Sequence, residues 1–399
     1  MTTRHIVTPA MLALALIGLG GTAQAQEREV KITGFGAKSG VVRSFGVNSE
    51  AAMLAAADQI NKAGGIKLGD GARGKIKVEF FDDRCVAEEG ISVLRRIASS
   101  EAVVAVGPTC SNVAEPLFGV LQKKFGDASD TGVQMPIYTD VAVKGGLAKI
   151  SEWAFRNVPS EAVMYDELFK YIKQRRPELK TVFGGVEEDF AHSRATWHAV
   201  MKEKFTEAGY QIGGEAKWLL ADTNFANQVR DMKRINADIV AISAHPFSSC
   251  GVLKEMERQN VKPKLIIGLT SSSSLETMQG CAKQVEGTII PTSFAPVTPL
   301  ATAAADATAK FNGSLDLHSG AAWEIMIVLK DLMEKQGVIA KADTVKADRE
   351  KIRAGLAGLK EHEGLIGKVR RTEDREAIKP FVFVVAKSGK WEVLHAPSM

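Results

Sequence analysis

The chain has 399 residues, 45% of them hydrophobic and 25% charged. That length exceeds one ordinary domain and suits two lobes of about 100–200 residues each. Its 51 basic and 47 acidic residues are interspersed, as in Lys202-Glu203-Lys204, so the clustered basic footprint of a nucleic-acid binder is missing.

In chain order, the first feature is a leader. Arg4 and His5 form a weakly basic head, and Met11–Leu19 is an unbroken apolar-and-glycine run. Thr22-Ala23-Gln24-Ala25 then places small residues at Ala23 and Ala25, the A-x-A arrangement of a signal-peptidase site. The run is far shorter than the ~20 residues of a membrane span. Residues 1–25 are therefore expected to be removed on export, leaving a periplasmic protein. No cysteine stands at the cleavage site to carry a lipid.

Short β-branched runs follow at Val30–Phe35, Ile76–Phe81, Val103–Val106, Val182–Val186, Ile239–Ser243 and Leu265–Gly268. Between them lie segments with apolar spacing near 3.6: Val47–Lys62, Glu88–Ser99, His192–Ala208, Asn224–Asn236 and Ser248–Gln259. Strands alternating with helices predict βαβ units and a mostly parallel sheet. The units fall into two series, one ending near residue 150 and one running from about 160 to 285. Two or three helices follow, at about 299–311, 318–336 and 346–358. Phe381–Val385 and Trp391–Leu394 close the chain as a hairpin around Ser388-Gly389. In such sheets ligands bind beyond the carboxyl ends of the strands, where helix N-termini offer free N–H groups.

Chemistry-bearing motifs are few. Gly34-Phe35-Gly36-Ala37-Lys38-Ser39-Gly40 follows a strand, but its spacing is not G-x-G-x-x-G, so no nucleotide cofactor is expected. The seven histidines form no metal-ligand pair, and no G-x-S-x-G elbow is present. The reading is of a non-enzyme with neither metal nor cofactor. His245 is the exception among the histidines, because it ends a strand in a cleft loop. Ser111 or Asn112, after Val103–Gly107, would serve as an N-cap or would hold a ligand carboxylate. Ser271–Ser274 fits either a helix cap or a cleft wall. Four cysteines, Cys85, Cys110, Cys250 and Cys281, in an exported chain read as disulfides, with three possible connectivities.

Several stretches together resemble the leucine/isoleucine/valine-binding group of periplasmic receptors, which serve ABC importers of hydrophobic amino acids and amides. They are Ser39-Gly40 to Phe45-Gly46, Ala57-Asp58-Gln59-Ile60-Asn61-Lys62-Ala63-Gly64-Gly65-Ile66, Asp82-Asp83-Arg84-Cys85, Gly107-Pro108-Thr109-Cys110-Ser111, Phe155-Arg156-Asn157, Gly364-Leu365-Ile366-Gly367-Lys368 and Ser388-Gly389-Lys390-Trp391. The resemblance spans residues 26–399. It implies a type I periplasmic-binding-protein fold, with two doubly wound α/β lobes around a hinge cleft. The first lobe is expected to hold residues 26–155 and 290–378, the second 156–289 and 379–399.

The resemblance also implies roles. Cys85 and Cys110 match the family's first-lobe disulfide; Cys250 and Cys281 are carried as a second candidate bridge. Ser111 matches the carboxylate-binding position, and Asn112 beside it joins the candidate site. Phe45 and Phe190 fall where cleft-wall tyrosines are common. Thr139, Asp140 and Ala142 match the loop that grips the ligand's polar end. His245 and Thr270 complete the candidate site. The family's amino-acid binders place a carboxylate where Leu269-Thr270-Ser271 stands here, and a buried ammonium without a counter-charge is costly. The ligand is accordingly a branched-chain amino acid with Asp140 as substitute counter-charge, an amide, or a small carboxylate, aromatic ones included. The expected partners are that ligand and an ABC permease, with the receptor itself a monomer. A ligand-sensing module of a signalling system on the same fold is the alternative.

Overall fold

The structure is a computed structural model that describes residues 1–2, 27–140 and 142–397. The expected leader and its cleavage site fall almost entirely on residues outside the described ones.

Two large sheets organise the chain. The first runs in the order Ile66–Lys67, Arg73–Asp82, Glu27–Gly36, Val104–Val106, Ile137–Thr139, Ala154–Arg156, parallel except for the antiparallel edge Ile66–Lys67. The second runs Lys390–His395, Val382–Lys387, Ile289–Thr292, Leu265–Gly268, Ile239–Ser243, Thr181–Glu187, Gln211–Trp218. Its five sequence-consecutive strands are parallel, and the closing hairpin pairs antiparallel onto Ile289–Thr292. Both sheets are buried on two faces, which explains their near-continuous Val/Ile runs.

Local chemistry fixes the packing. The alanine-rich helix Arg43–Lys62 lies against Leu317–Gln336, and its small residues let the two helices approach closely. Asp316 opens Leu317–Gln336 as a capping box, accepting from the His318 and Ser319 amides at 2.8 and 3.0 Å, and Gly337 ends it at φ 64°. In the second lobe the strand Thr181–Glu187 is flanked by two tryptophans. A Cβ on Gly184 would stand 2.0 Å from the Trp197 ring, and one on Gly185 2.6 Å from Trp218, so the pair of glycines lets both indoles close on the sheet.

Three segments link the sheets: 157–160, 293–298 and 379–381. The first and third are tied by a buried polar knot. Asn157 Nδ2 donates to Glu324 at 2.8 Å, Lys379 pairs with the same carboxylate, and Arg371 donates to Asn157 Oδ1 at 2.8 Å.

Several expectations need correction. The first lobe's return does not begin at 290, because Ile289–Thr292 pairs within the second sheet through Thr292. Phe45 lies in the first turn of a helix that starts at Arg43, not in a loop before Val47. The helix after Cys110 begins at Ser111 rather than Val113, so Cys110 is the N-cap and neither Ser111 nor Asn112 is. The helix expected over 192–208 contains a π-turn at Trp197–Met201. Gln211–Trp218 and the small sheet Glu361–Gly364, Gly367–Arg371, Ala377–Ile378 carried too little apolar periodicity to be read in advance, whereas Glu161–Arg175, a further helix, buries Met164, Tyr165, Leu168, Phe169 and Ile172 at helical spacing.

Candidate functional site

The carboxyl ends of both sheets face each other. From the first lobe come the helix starts at Arg43, Ser111 and Leu317 and the loop after Thr139. From the second come Ala191, Pro246, the 3-10 turn Thr270–Ser272 and Leu275. The helices opening at Ser111, Pro246 and Leu275 have no side-chain cap, so their first-turn amides stay available to an anionic group, whereas the first amide of the helix at Ala191 is met by Asn112 Oδ1.

Aromatic rings meet between the lobes. Phe45 contacts His318 (4.8 Å between centroids) and His245 (5.7 Å), Phe190 lies 4.2 Å from His245, and His192 lies 5.4 Å from it. Phe45 and His318 belong to the first lobe, the other three to the second.

Behind the second lobe's rings sit two buried glutamates. Glu187 accepts from His245 Nδ1 at 2.5 Å and Ser248 Oγ at 2.6 Å. Glu161 accepts from His192 Nε2 at 2.9 Å and from the Thr196 and Thr270 hydroxyls. Burial pushes both carboxyls up, but the imidazoles and hydroxyls outweigh it and hold them below the usual glutamate range. Ser271 Oγ lies 3.2 Å from His192 Nδ1 and 3.1 Å from His318 Nε2, so a polar chain Glu161–His192–Ser271–His318 spans the two lobes. Burial, then His192 and His245, depress His318 well below the ordinary histidine range.

The first lobe's acids are differently placed. Asp140 accepts from Ser49, and burial, with Asp316 and Asp83 adding, raises its carboxyl to about 7. Asp316 and Asp83 are each pushed up to about 6, chiefly by burial. Each of the three keeps one buried oxygen with no partner among the described residues.

The expected site residues divide into groups. Phe45, Phe190 and His245 come together in the ring cluster. Ser111 Oγ accepts from Lys144 N at 3.3 Å, which leaves its hydroxyl proton free to donate. Thr139 donates to Pro108 O and accepts from Ala142 N, so it braces the loop. Ala142 is fully buried and its carbonyl accepts from Arg156 Nε at 3.0 Å. Asn112 Oδ1 accepts from Ala191 N at 2.7 Å, a bond directly across the cleft. Thr270 is spent on Glu161. Asn48 Nδ2 reaches Glu276 at 3.1 Å, a further lobe-to-lobe bond. Glu161, Glu187, His192, Asp316 and His318 were not singled out, and Ser271 was expected only as part of Ser271–Ser274, a helix cap or cleft wall. No local motif marks them, and only the facing of the two sheets brings them together. The structure bonds Cys85 to Cys110 and Cys250 to Cys281. The first bridge ties the turn after Asp83 to the residue before Ser111.

This arrangement defines a class: a two-lobed binding protein whose ligand site is completed by residues of both lobes. The family model described as periplasmic binding protein matches residues 29–390, and the chain belongs to that family. It is 26% identical over 313 residues to the Leu/Ile/Val-binding protein BraC3 of Rhizobium johnstonii, covering 77% of this chain and 79% of that one. It is 24% identical to the Leu/Ile/Val-binding protein homolog 3 of Brucella melitensis, covering 79% and 82%. Among solved structures it superposes on the branched-chain amino acid transporter substrate-binding protein LivJ of Streptococcus pneumoniae in complex with isoleucine (TM-score 0.77, 20% identity, 92% of this chain and 100% of that one). It also superposes on an ABC transporter solute-binding protein of R. palustris in complex with benzoate (TM-score 0.75, 15% identity, 92% and 96%). The chain is thus a periplasmic binding protein with the two-lobed type I fold of those structures. Among the described residues, no helix is long and apolar enough to cross a membrane.

Proposed function

We propose that the receptor carries a small carboxylate with a flat or branched apolar body and no ammonium group, and delivers it to an ABC permease as a periplasmic monomer released from its leader. Ser111 and the uncapped helix amides would take the carboxylate, and Phe45, Phe190, His245 and His318 would enclose the body. One observation carries this reading. Each buried glutamate of the second lobe is already partnered by an imidazole, and the position of the missing counter-charge, Thr270, donates to one of them. Of the acids that keep an unpartnered buried oxygen, among them Asp83, Asp140, Asp316 and Glu276, Asp140 is the one in the expected ligand loop; it is buried with 1% exposure and held near 7, which makes it a weak counter-charge and a ready proton donor. A solved relative in fold binds benzoate and another isoleucine, so the fold accommodates both kinds of ligand.

Contacts that exist only when the lobes meet, Asn112 to Ala191 N and His318 to Ser271, would hold the closed state that the ligand selects. No bond-making step is assigned to the site; it closes and releases.

The test is calorimetric titration of ligand-stripped protein with benzoate, 4-hydroxybenzoate, isoleucine and leucine, alongside a thermal-shift screen. Binding by the aromatic acids and not by the amino acids is expected, with Ser111→Ala weakening it about tenfold through one lost charge-assisted hydrogen bond. Tight binding of leucine, lost in Asp140→Asn, would overturn the amine-free reading. It would mean the unpartnered Asp140 oxygen meets an ammonium.

A further inference from the structure

Beside the first crossover, on the first lobe, lies a small cavity of about 90 Å³. It sits between the end of the helix Val345–Gly358 and the loop that follows the strand Gly367–Arg371. Tyr138 and Phe155, paired on neighbouring strands of the first sheet, give it an aromatic wall. Lys360, Arg371 and Arg375 bring three positive charges to the lining, and Glu373 brings one negative charge.

These cations lack counter-charges. The loop's other acids are taken elsewhere: Asp374 pairs with Lys149 at 2.9 Å, and Glu376 pairs with Arg156. Glu373 is exposed to solvent. Among the described residues, none of Lys360, Arg371 and Arg375 forms an ion pair. Arg371 Nη1 donates to Arg156 O and Nη2 to Asn157 Oδ1 at 2.8 Å, and its guanidinium lies 5.1 Å from the centre of the Tyr138 ring. Burial pushes it down to about 9, with Glu376 opposing only in part. Arg375 spends Nε and Nη2 on the carbonyls of Ala154, Ala148 and Ser151. Arg371 Nε and Arg375 Nη1 are left over as donors. Thr372, also in the lining, accepts from Glu376 N at 3.1 Å, so its hydroxyl proton is free to donate.

A buried cation without a counter-charge is costly, and an anion in this cavity would supply one. Guanidinium and hydroxyl donors converging from several sides suit oxygen acceptors. The volume is far below the ~300–1,000 Å³ of a pocket for a drug-sized organic ligand, so the occupant has few heavy atoms. The carbonyl end of the helix opposes an anion with about half an elementary charge, against three whole positive ones.

We infer that this cavity is a site for a small tetrahedral oxyanion, of the phosphate and sulfate class, held by Lys360, Arg371, Thr372 and Arg375. It is separate from the cleft and independent of the ligand reading above. Its occupant would fix Arg371, whose other donors hold the chain at Arg156 and Asn157 as it leaves the first lobe.

The experiment is calorimetric titration of the full protein with inorganic phosphate, and separately with sulfate, at ionic strength held constant with chloride. Saturable uptake of one anion per chain is expected, with a dissociation constant at or below about 1 mM. Lys360 is exposed, so its variants should keep the wild-type melting temperature. Lys360→Gln should weaken uptake about tenfold, the worth of one charge-assisted hydrogen bond, and Lys360→Glu should abolish it. Lys310→Gln, an exposed lysine outside the cavity, should bind as wild type. No saturable uptake of either anion, or uptake unchanged in Lys360→Glu, overturns the site. An equal loss in Lys310→Gln also overturns it, because net charge alone would then govern uptake. Loss in Ser111→Ala would put the anion in the cleft and overturn it as well.

Discussion

The two walls of the cleft treat buried acid in opposite ways. On the second lobe, Glu161 and Glu187 are saturated by imidazoles and hydroxyls and held ionised. On the first lobe, Asp83, Asp140 and Asp316 each keep a buried oxygen unpartnered and are driven towards the neutral form. The second wall is a preorganised scaffold that presents its histidine rings in fixed orientation. The first wall is the one whose protonation can respond to ligand and pH. The difference follows from neighbours: the second-lobe strand ends carry His, Ser and Thr, whereas the first-lobe aspartates face one another and Glu276.

The sharpest way to break this comparison is to remove an acid from the saturated wall. Glu187→Ala strands His245 and Ser248 without their acceptor in a buried site. It should cost about 3–5 kcal/mol in denaturant melts, as breaking a buried pair does. A loss under about 1 kcal/mol would mean the second wall is not the rigid one.

Asp140→Asn addresses the responsive wall, and its effect should change with pH. The Asp140 carboxyl titrates near 7 in the folded chain against an ordinary 3.8. Its contribution to stability is therefore fully present below about 4 and lost as pH rises through 7. The variant should gain on the wild type by a few kcal/mol at pH 8, and the gain should vanish towards pH 4, in melts across that range. A pH-independent difference would show that Asp140 titrates normally.

His318 has the opposite sign. Its folded value lies below the ordinary 6.5, so its contribution is present above that value and lost as pH falls through the range beneath it. Protonation would also oppose His192 and His245, the basic groups facing it, although Asp316 and Asp140 lie on its own lobe. Ligand affinity is expected to fall severalfold between pH 7 and pH 5 in wild type, and less in His318→Gln. Equal slopes in both proteins would remove His318 from the closure mechanism.

The smallest expected effect belongs to the bond that joins the walls. Asn112→Ala removes the acceptor for Ala191 N, a net loss of about 1 kcal/mol in the closed form alone, or roughly fivefold in affinity. Small-angle scattering should then find a larger open fraction without ligand, while the melting temperature stays close to wild type.

Much of the architecture could be read from the residues themselves. Hydrophobic period sets whether a stretch buries one stripe or two faces, which is why Ile239–Ser243 and Leu265–Gly268 fall where their β-branched runs stand. Gln211–Trp218 escaped because three of its residues are glycine or alanine and its other side chains alternate weakly at a sheet edge. Ser111 and Phe45 were legible through the order of motifs, although their helices begin earlier than the apolar pattern does. The chain alone thus determined the βαβ alternation and the two-lobed plan, because these depend on local periodicity and loop chemistry. Only the tertiary structure decided which charges survive there. Glu161 meets His192 across 31 positions and Asp140 meets Ser49 across 91, and a carboxyl's charge depends on what is packed against it rather than on its neighbours in the chain.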